Sequence, residues 1–268
     1  MKLLNIIKQR MRKEATIICP LIIKNSSEIL RGKTVLITGG ATGIGKATAT
    51  KLVSEGASVI IVGRREDKLK ETSQIIGSEC KYLVEDITNV EYKKWFERVE
   101  RNFGKTIDIF INNAGLYIDR EQGGYSESDF DSIINLNLKA SFFLLQSYFC
   151  YCKEKGIKGN MIITSSNRAL FGDVGPYGIS KAGVSSIVQG FAREYSQFGL
   201  RVNAVAPGMT ASEINGVNPE GDLAASYIRG GRILRAEEIA EVICFLAEDS
   251  SNCINGVVIP CDNGDNLR

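Results

Sequence analysis

From residue 33 onward, short apolar, β-branched runs alternate with longer segments whose apolar positions recur at helical spacing. Lys33–Thr38 is the first run; it ends in glycines and leads into a helical pattern from Gly43 to about Ser54. Ala57–Val62 is the second, followed by a charged helix beginning near Glu66. Lys81–Val84 is the third, with a helix across Asn89–Asn102, and Ile107–Ile111 is the fourth, with one long helix over about Glu127–Tyr151. Asn160–Thr164 precedes a long helix over Pro176–Gln197, Arg201–Ala206 precedes a helix over Ala236–Glu248, and Val257–Pro260 is a last short strand. Strands this uniformly apolar are buried on both faces, as in a parallel sheet. Right-handed crossovers then place helices on both sides. The expected fold is a single-domain, doubly wound parallel α/β sheet over residues 31–268. Such sheets bind ligands beyond the carboxyl ends of their strands.

Composition narrows the chemistry. The 268 residues contain no Pro/Gly/Ser-rich linker and no internal repeat, so one compact domain is expected. A net charge of +2 with acids and bases well mixed argues against nucleic acid as a partner. The chain has 7 cysteines but no Cys-x-x-Cys pair and no histidine. Zinc sites of the Cys/His type and Ser-His-Asp catalysis are therefore excluded, no metal is expected, and the cysteines read as reduced apolar side chains. Acid/base work near neutral pH falls to a tuned Tyr, Lys, Cys or carboxylate. Residues 1–30 read as an N-terminal extension, basic at its start, with an apolar run at Ala15–Ile23 interrupted by Pro20. That run is far short of the ~20 residues that span a bilayer. No Ala-x-Ala-like cleavage site follows it, so no integral membrane segment and a cytoplasmic location are expected.

Two strand ends carry a cofactor signature. After the first strand come Thr38, Gly39, Gly40, Ala41, Thr42, Gly43, Ile44 and Gly45. Glycines there permit a tight turn and close approach of a pyrophosphate to the start of a helix, where free N–H groups and the helix dipole favour an anion. No Gly-Lys-Ser/Thr follows, which argues against an ATPase loop. The second strand ends at Gly63-Arg64-Arg65, where NAD sites place an acid. A guanidinium suits a 2′-phosphate, so NADP(H) is favoured over NAD(H), with Arg64 as the contact.

The fifth strand runs into Ser165-Ser166, and eleven residues beyond Ser166 stands Tyr177, with Lys181 one helical turn further. A phenol is a poor base near pH 7 unless a cation stabilises the phenolate. The spacing alone identifies nothing, because Tyr151 and Lys155 repeat it at a helix end. The second pair lacks a strand-end serine before it.

With these motifs in order, the chain resembles the short-chain dehydrogenase/reductase family over about residues 31–265, with 3-oxoacyl-thioester reductase-like and sugar or alcohol dehydrogenase-like members among those it is similar to. The shared pattern comprises the glycine loop, Asp86-Ile87, Asn112-Asn113-Ala114-Gly115, Asn137, Ser166, Tyr177/Lys181 and Pro207-Gly208. The resemblance implies a Rossmann-like fold and hydride transfer between NADP(H) and a small-molecule ketone or secondary alcohol. It implies that Ser166 holds the substrate carbonyl, with Ser165 as the alternative hydroxyl, and that Tyr177 is the general acid or base. Lys181 would lower the Tyr177 pKa and hold the nicotinamide ribose, and Asn137 would support a water-linked relay to Lys181. Asp86 and Ile87 would contact the adenine, Asn112 the adenosine-side ribose region, with Ala114 and Gly115 beside it, and Thr210, after Pro207 and Gly208, the carboxamide. A homotetramer or homodimer is implied as well. The Ser166–Tyr177 step is about two residues shorter than is common in the family, and Asp262-Asn263-Gly264 replaces Asp-Gly-Gly. Residues Thr210–Arg232 are expected to form a substrate lid, with Tyr117, Phe171, Met209 and Tyr227 as candidate pocket residues. The rivals are an NAD-dependent dehydrogenase of the same fold and a non-catalytic dinucleotide sensor.

Overall fold

The computed structural model describes residues 28–120 and 124–267. Most of the N-terminal extension, residues 1–27, lies outside the described residues.

Among the described residues, seven strands form one parallel sheet: β1 (Thr34–Thr38), β2 (Ser58–Gly63), β3 (Cys80–Val84), β4 (Ile109–Asn112), β5 (Asn160–Thr164), β6 (Arg201–Pro207) and β7 (Val258–Cys261). Their order is β3-β2-β1-β4-β5-β6-β7, so the chain works outward from β1 to one edge, crosses back beside β1, and continues to the other edge. The reversal lies between β1 and β4, which pair from Val35↔Ile109 to Thr38↔Asn112. This is the doubly wound sheet expected.

Alternate strand residues feed two cores. Val35, Ile37, Val59 and Ile61 face α1 (Gly43–Ser54), α2 (Glu66–Ile76) and the helix Ala236–Ala247, packing on Leu52, Leu69 and Ile239. Leu36, Ile60, Val62 and Phe110 face the opposite side, against Trp95, Phe96, Tyr148 and Val188. Those partners come from α3 (Trp95–Phe103), the helix Ser141–Lys155 and the helix Pro176–Tyr195. Leu30 is buried in the first core and its amide donates to the Glu55 carbonyl at 2.9 Å, so the chain joins the domain just before β1.

The segment expected as one helix over 127–151 is divided. It comprises α4 (Glu127–Ile134), a π-helical turn over Asn135–Ala140, and α5 (Ser141–Lys155). The wide turn carries Asn137, whose Oδ1 accepts from the Leu116 amide at 2.8 Å and whose Nδ2 donates to the Leu116 carbonyl at 2.9 Å. These bonds to the segment after β4 accompany the widened turn; such bulges recur at functional sites. The other helices are α6 (Pro176–Tyr195) and α7 (Ala236–Ala247). Arg201 closes the end of α7, donating to the carbonyls of Leu246 and Ser251 at 3.0 Å and of Ile254 at 3.2 Å. A cation there meets the negative end of the helix dipole.

Candidate active site

The expected site residues gather beyond the carboxyl ends of β1, β4, β5 and β6. Thr38 organises the first crossing: its hydroxyl donates to Asn112 Oδ1 at 2.9 Å and accepts from the amides of Asn113 and Ala114, each at 3.2 Å. Asn113 ties three strands together. Its Nδ2 donates to the Gly39 carbonyl at 3.0 Å, and its Oδ1 accepts from Thr164 Oγ1 at 3.0 Å. These bonds make Asn113 part of a strand-end turn that stabilises the sheet.

The glycine loop needs its glycines. Gly39 has φ +66°, and a Cβ there would fall 2.8 Å from the Ala114 Cα. A Cβ on Gly45 would fall 2.1 Å from the Gly39 carbonyl oxygen. Thr42, the N-cap of α1, makes no capping bond with its side chain. A bare backbone turn against a helix N-terminus with its cap side chain turned away fits a pyrophosphate. Gly40, Ala41, Gly43 and Ile44 complete this turn.

At the end of β2, Arg64 is exposed with Nη1 4.0 Å from Asp86 Oδ2. Asp86 Oδ1 accepts from the Thr88 amide at 2.9 Å and hydroxyl at 2.7 Å. Burial opposes its ionisation, but the Thr88 bonds and the Arg64 charge together hold its pKa below the usual carboxylate range. Ile87 beside it is buried. Arg65 is directed elsewhere, to Glu213 at 2.9 Å and the Thr42 hydroxyl at 3.4 Å.

Two expected cofactor residues point their side chains inward. Asn112 is buried; besides accepting from Thr38, it donates to Ser141 Oγ at 2.7 Å, and Ser141 donates to the Asn137 carbonyl at 2.6 Å. Its side chain therefore serves the junction of β1, β4 and the π-helical turn. Beyond Pro207 and Gly208, Thr210 is also buried, and its hydroxyl donates to the Gly208 carbonyl at 3.0 Å. Its backbone pairs with Leu234 in an isolated parallel bridge. The Ser212 Cβ lies 3.2 Å from where a Cβ on Gly43 would stand, and its hydroxyl donates to the Thr210 carbonyl at 3.3 Å.

Ser165 and Ser166 diverge at the end of β5. Ser165 Oγ donates to the Lys181 carbonyl at 3.3 Å, inside the protein. Ser166 caps a short turn, accepting from the Arg168 amide at 3.2 Å with Asn167 Oδ1 3.5 Å from its Oγ, and its hydroxyl is near enough to Tyr177 to draw the phenol pKa down. Lys181 is buried and donates from Nζ to the Thr164 carbonyl at 2.8 Å, with Nζ 5.6 Å from the centre of the Tyr177 ring. Burial alone pushes Lys181 down to about 8. Burial also pushes the Tyr177 phenol up, while Ser166 and Arg168 draw it back. Lys181 Nζ and Asn137 Oδ1 converge below Gly115, 3.5 and 3.6 Å from where a Cβ there would stand.

The other Tyr/Lys pair has nearly the same internal geometry, with Lys155 Nζ 5.9 Å from the Tyr151 ring centre. Its surroundings differ. Tyr151 is buried, and its hydroxyl accepts from the Ile107 amide at 3.0 Å. Burial pushes it up to about 12. Lys155 pairs with Glu100 at 2.7 Å.

Of the candidate pocket residues, Tyr117 stands edge-on to Tyr177 with ring centres 5.2 Å apart. Tyr227 and Met209 meet at the surface, phenol to sulfur 3.3 Å. Within the expected lid, Ala211, Ala225 and Ile228 pack with Ile233, just beyond it, into a small core. Asn263 adopts a left-handed φ of +54°, a conformation Asn tolerates in place of glycine.

The short chain dehydrogenase family model matches residues 33–222. The 3-oxoacyl-[acyl-carrier-protein] reductase FabG of Thermotoga maritima is 37% identical over 243 residues, covering 88% of this chain and 98% of that protein. A short chain dehydrogenase of Bacillus anthracis superposes with a TM-score of 0.80 at 34% identity, covering 89% of this chain and 98% of its own. The 3-ketoacyl-(acyl-carrier-protein) reductase of Brucella melitensis, solved with NADH, superposes with a TM-score of 0.80 at 25% identity, over 89% of this chain and all of its own. The chain belongs to the short-chain dehydrogenase/reductase family of oxidoreductases, which bind a nicotinamide dinucleotide.

Proposed function

We propose that this protein is an NADP(H)-dependent reductase of a ketone, with the secondary alcohol as product, and that Ser166, Tyr177, Lys181 and Asn137 form its catalytic set. A 3-oxoacyl thioester is the first substrate to try, on the strength of the Thermotoga and Brucella relatives. The observation that carries the reading is the meeting of Ser166 and Tyr177 beside a buried Lys181, next to a glycine cradle shaped for a pyrophosphate.

When bound, NADP(H) supplies the hydride. The protein handles the proton and the charge. Ser166 Oγ donates to the carbonyl oxygen and stabilises the charge that develops on it. Tyr177 delivers its phenolic proton to that oxygen in reduction and takes it back in oxidation. Lys181 supplies a desolvated cation beneath the phenol, held in place by the Thr164 carbonyl. Asn137 shapes the wall next to Lys181 through its bonds to Leu116, on the side where a proton must be resupplied. The glycine loop, Ala114, Gly115, Pro207 and Gly208 provide backbone for the cofactor, and Arg64 the cation for a 2′-phosphate.

A panel of ketones and alcohols, assayed at nicotinamide absorbance with both cofactors, tests the reading. NADPH-dependent loss of a ketone is expected, and equal inertness with every member and both cofactors would overturn it. One observation favours a second reading, an NAD(H) enzyme: the Brucella relative was solved with NADH. The same panel separates the two by their relative kcat/KM.

We propose further that the protein is cytoplasmic and a homotetramer or homodimer. Among the described residues, no helix is long and apolar enough to cross a membrane. The long helices α5 and α6 expose Phe142, Phe143 and Ile179, which suit a contact with a second copy. Light scattering at micromolar concentration tests the assembly; a monomer would refute it.

A further inference from the structure

The eleven-residue step from Ser166 to Tyr177 is folded around one carboxylate. Asp173 Oδ1 accepts from the Gly175 amide at 2.9 Å, and Oδ2 stands 3.3 Å from Arg168 Nη1. The same side chain lies flat on Gly178, where a Cβ would fall 2.3 Å from the Asp173 Cβ and 2.4 Å from its Oδ2. Arg168 donates its backbone N–H to Ser166 Oγ at 3.2 Å. Asp173 therefore touches the residue two before Tyr177, the residue just after it, and the residue that binds the Ser166 hydroxyl. Its side chain is nearly buried, while that of Arg168 is half exposed.

We propose that the Arg168–Asp173 pair is a positioning and charge-setting device for proton transfer: Asp173 fixes the loop between Ser166 and Tyr177 and masks the Arg168 charge from the Tyr177 hydroxyl. The proposal rests on the reading that Tyr177 is the proton donor. The charged and titratable groups around Tyr177 can be named. Lys181 lies one turn along α6, Arg168 and Asp173 belong to the loop, and Tyr117 follows β4, with Asp119 and Tyr125 near Tyr117. Burial and the neighbouring Asp119 keep the Tyr117 phenol above its ordinary range, so it stays neutral near pH 7. The cations in this group are Lys181 and Arg168, and Asp173 pairs with only the latter.

Asp173 and Arg168 therefore act on the phenol with opposite signs. Asp173→Asn keeps an acceptor for the Gly175 amide but leaves the Arg168 charge unmasked, so the phenolate forms at lower pH. Arg168→Met removes the cation, so the phenolate forms at higher pH. A purely structural loop contact predicts loss of rate without such opposed displacements.

The test is the pH profile of kcat/KM for alcohol oxidation, in which rate rises with pH as Tyr177 becomes the base. The acid limb is expected to move to lower pH in Asp173→Asn and to higher pH in Arg168→Met. On that limb, the rate should change by roughly two- to five-fold in opposite directions, as for a partly exposed charge contact. Arg168→Lys should restore the wild-type limb. Limbs that do not move, or that move the same way, overturn the proposal. If Asp173→Asn does not fold, Arg168→Met decides alone, and an unmoved limb there refutes it. Tyr177→Phe runs in parallel: full turnover in that variant would refute the underlying reading rather than the pair.

Discussion

Lys181 donates its hydrogen bond not to the Tyr177 phenol but to the Thr164 carbonyl, at 2.8 Å, and its Nζ stands 5.6 Å from the centre of the Tyr177 ring. The strand β5 thus holds the cation, and α6 holds the phenol above it.

Burying that ammonium has a measurable consequence for stability. An unfolded lysine titrates near 10.4, and burial pushes Lys181 down to about 8. Below pH 8 both states are charged, and the folded state bears the full cost of the buried charge. Between about 8 and 10 the folded state sheds the proton first, so stability rises with pH. The span corresponds to about 3 kcal/mol. Urea unfolding of wild type and Lys181→Met at pH 7 and pH 10 checks this. The wild type should gain stability relative to the variant at the higher pH; parallel behaviour would count against a strongly desolvated lysine.

Arg64 is expected to set cofactor preference. A charge-assisted contact to a 2′-phosphate contributes about 1.5–3 kcal/mol. Arg64→Asp should therefore weaken NADPH binding by roughly 10- to 100-fold and leave NADH nearly unaffected, as read by quenching of protein fluorescence. An unchanged ratio would remove the argument for NADP(H).

Far from the site, Arg201 should govern the docking of α7. Arg201→Met leaves the carbonyls of Leu246, Ser251 and Ile254 without this donor and should cost roughly 2–4 kcal/mol. A denaturant midpoint unchanged from wild type would contradict that role.

Much of the fold was legible because the strands are continuous apolar runs with glycine or polar stops, as in Thr34–Thr38 and Ser58–Gly63. The interruption at Asn135–Ala140 was not, because one wide turn scarcely disturbs the apolar spacing on either side. The glycine loop was legible as a local motif. The inward position of Thr210 was not, since Thr210 bridges to Leu234, far along the chain. Asp173 carried no signal at all; its position against Gly178 exists only in three dimensions. Separation of the two Tyr/Lys pairs needed neighbours from distant parts of the chain, because their internal distances, 5.6 and 5.9 Å, are nearly equal.

That near-identity makes the paired variants Tyr177→Phe and Tyr151→Phe the most direct measurement of the central claim, with turnover and unfolding followed in the same preparations. Tyr177→Phe should lower kcat by at least about 100-fold while the protein stays folded and binds the dinucleotide. Tyr151→Phe should keep its turnover but lose roughly 1–3 kcal/mol of stability, because the Ile107 amide is left without its acceptor. Full turnover in Tyr177→Phe, with activity abolished in folded Tyr151→Phe, would contradict the account.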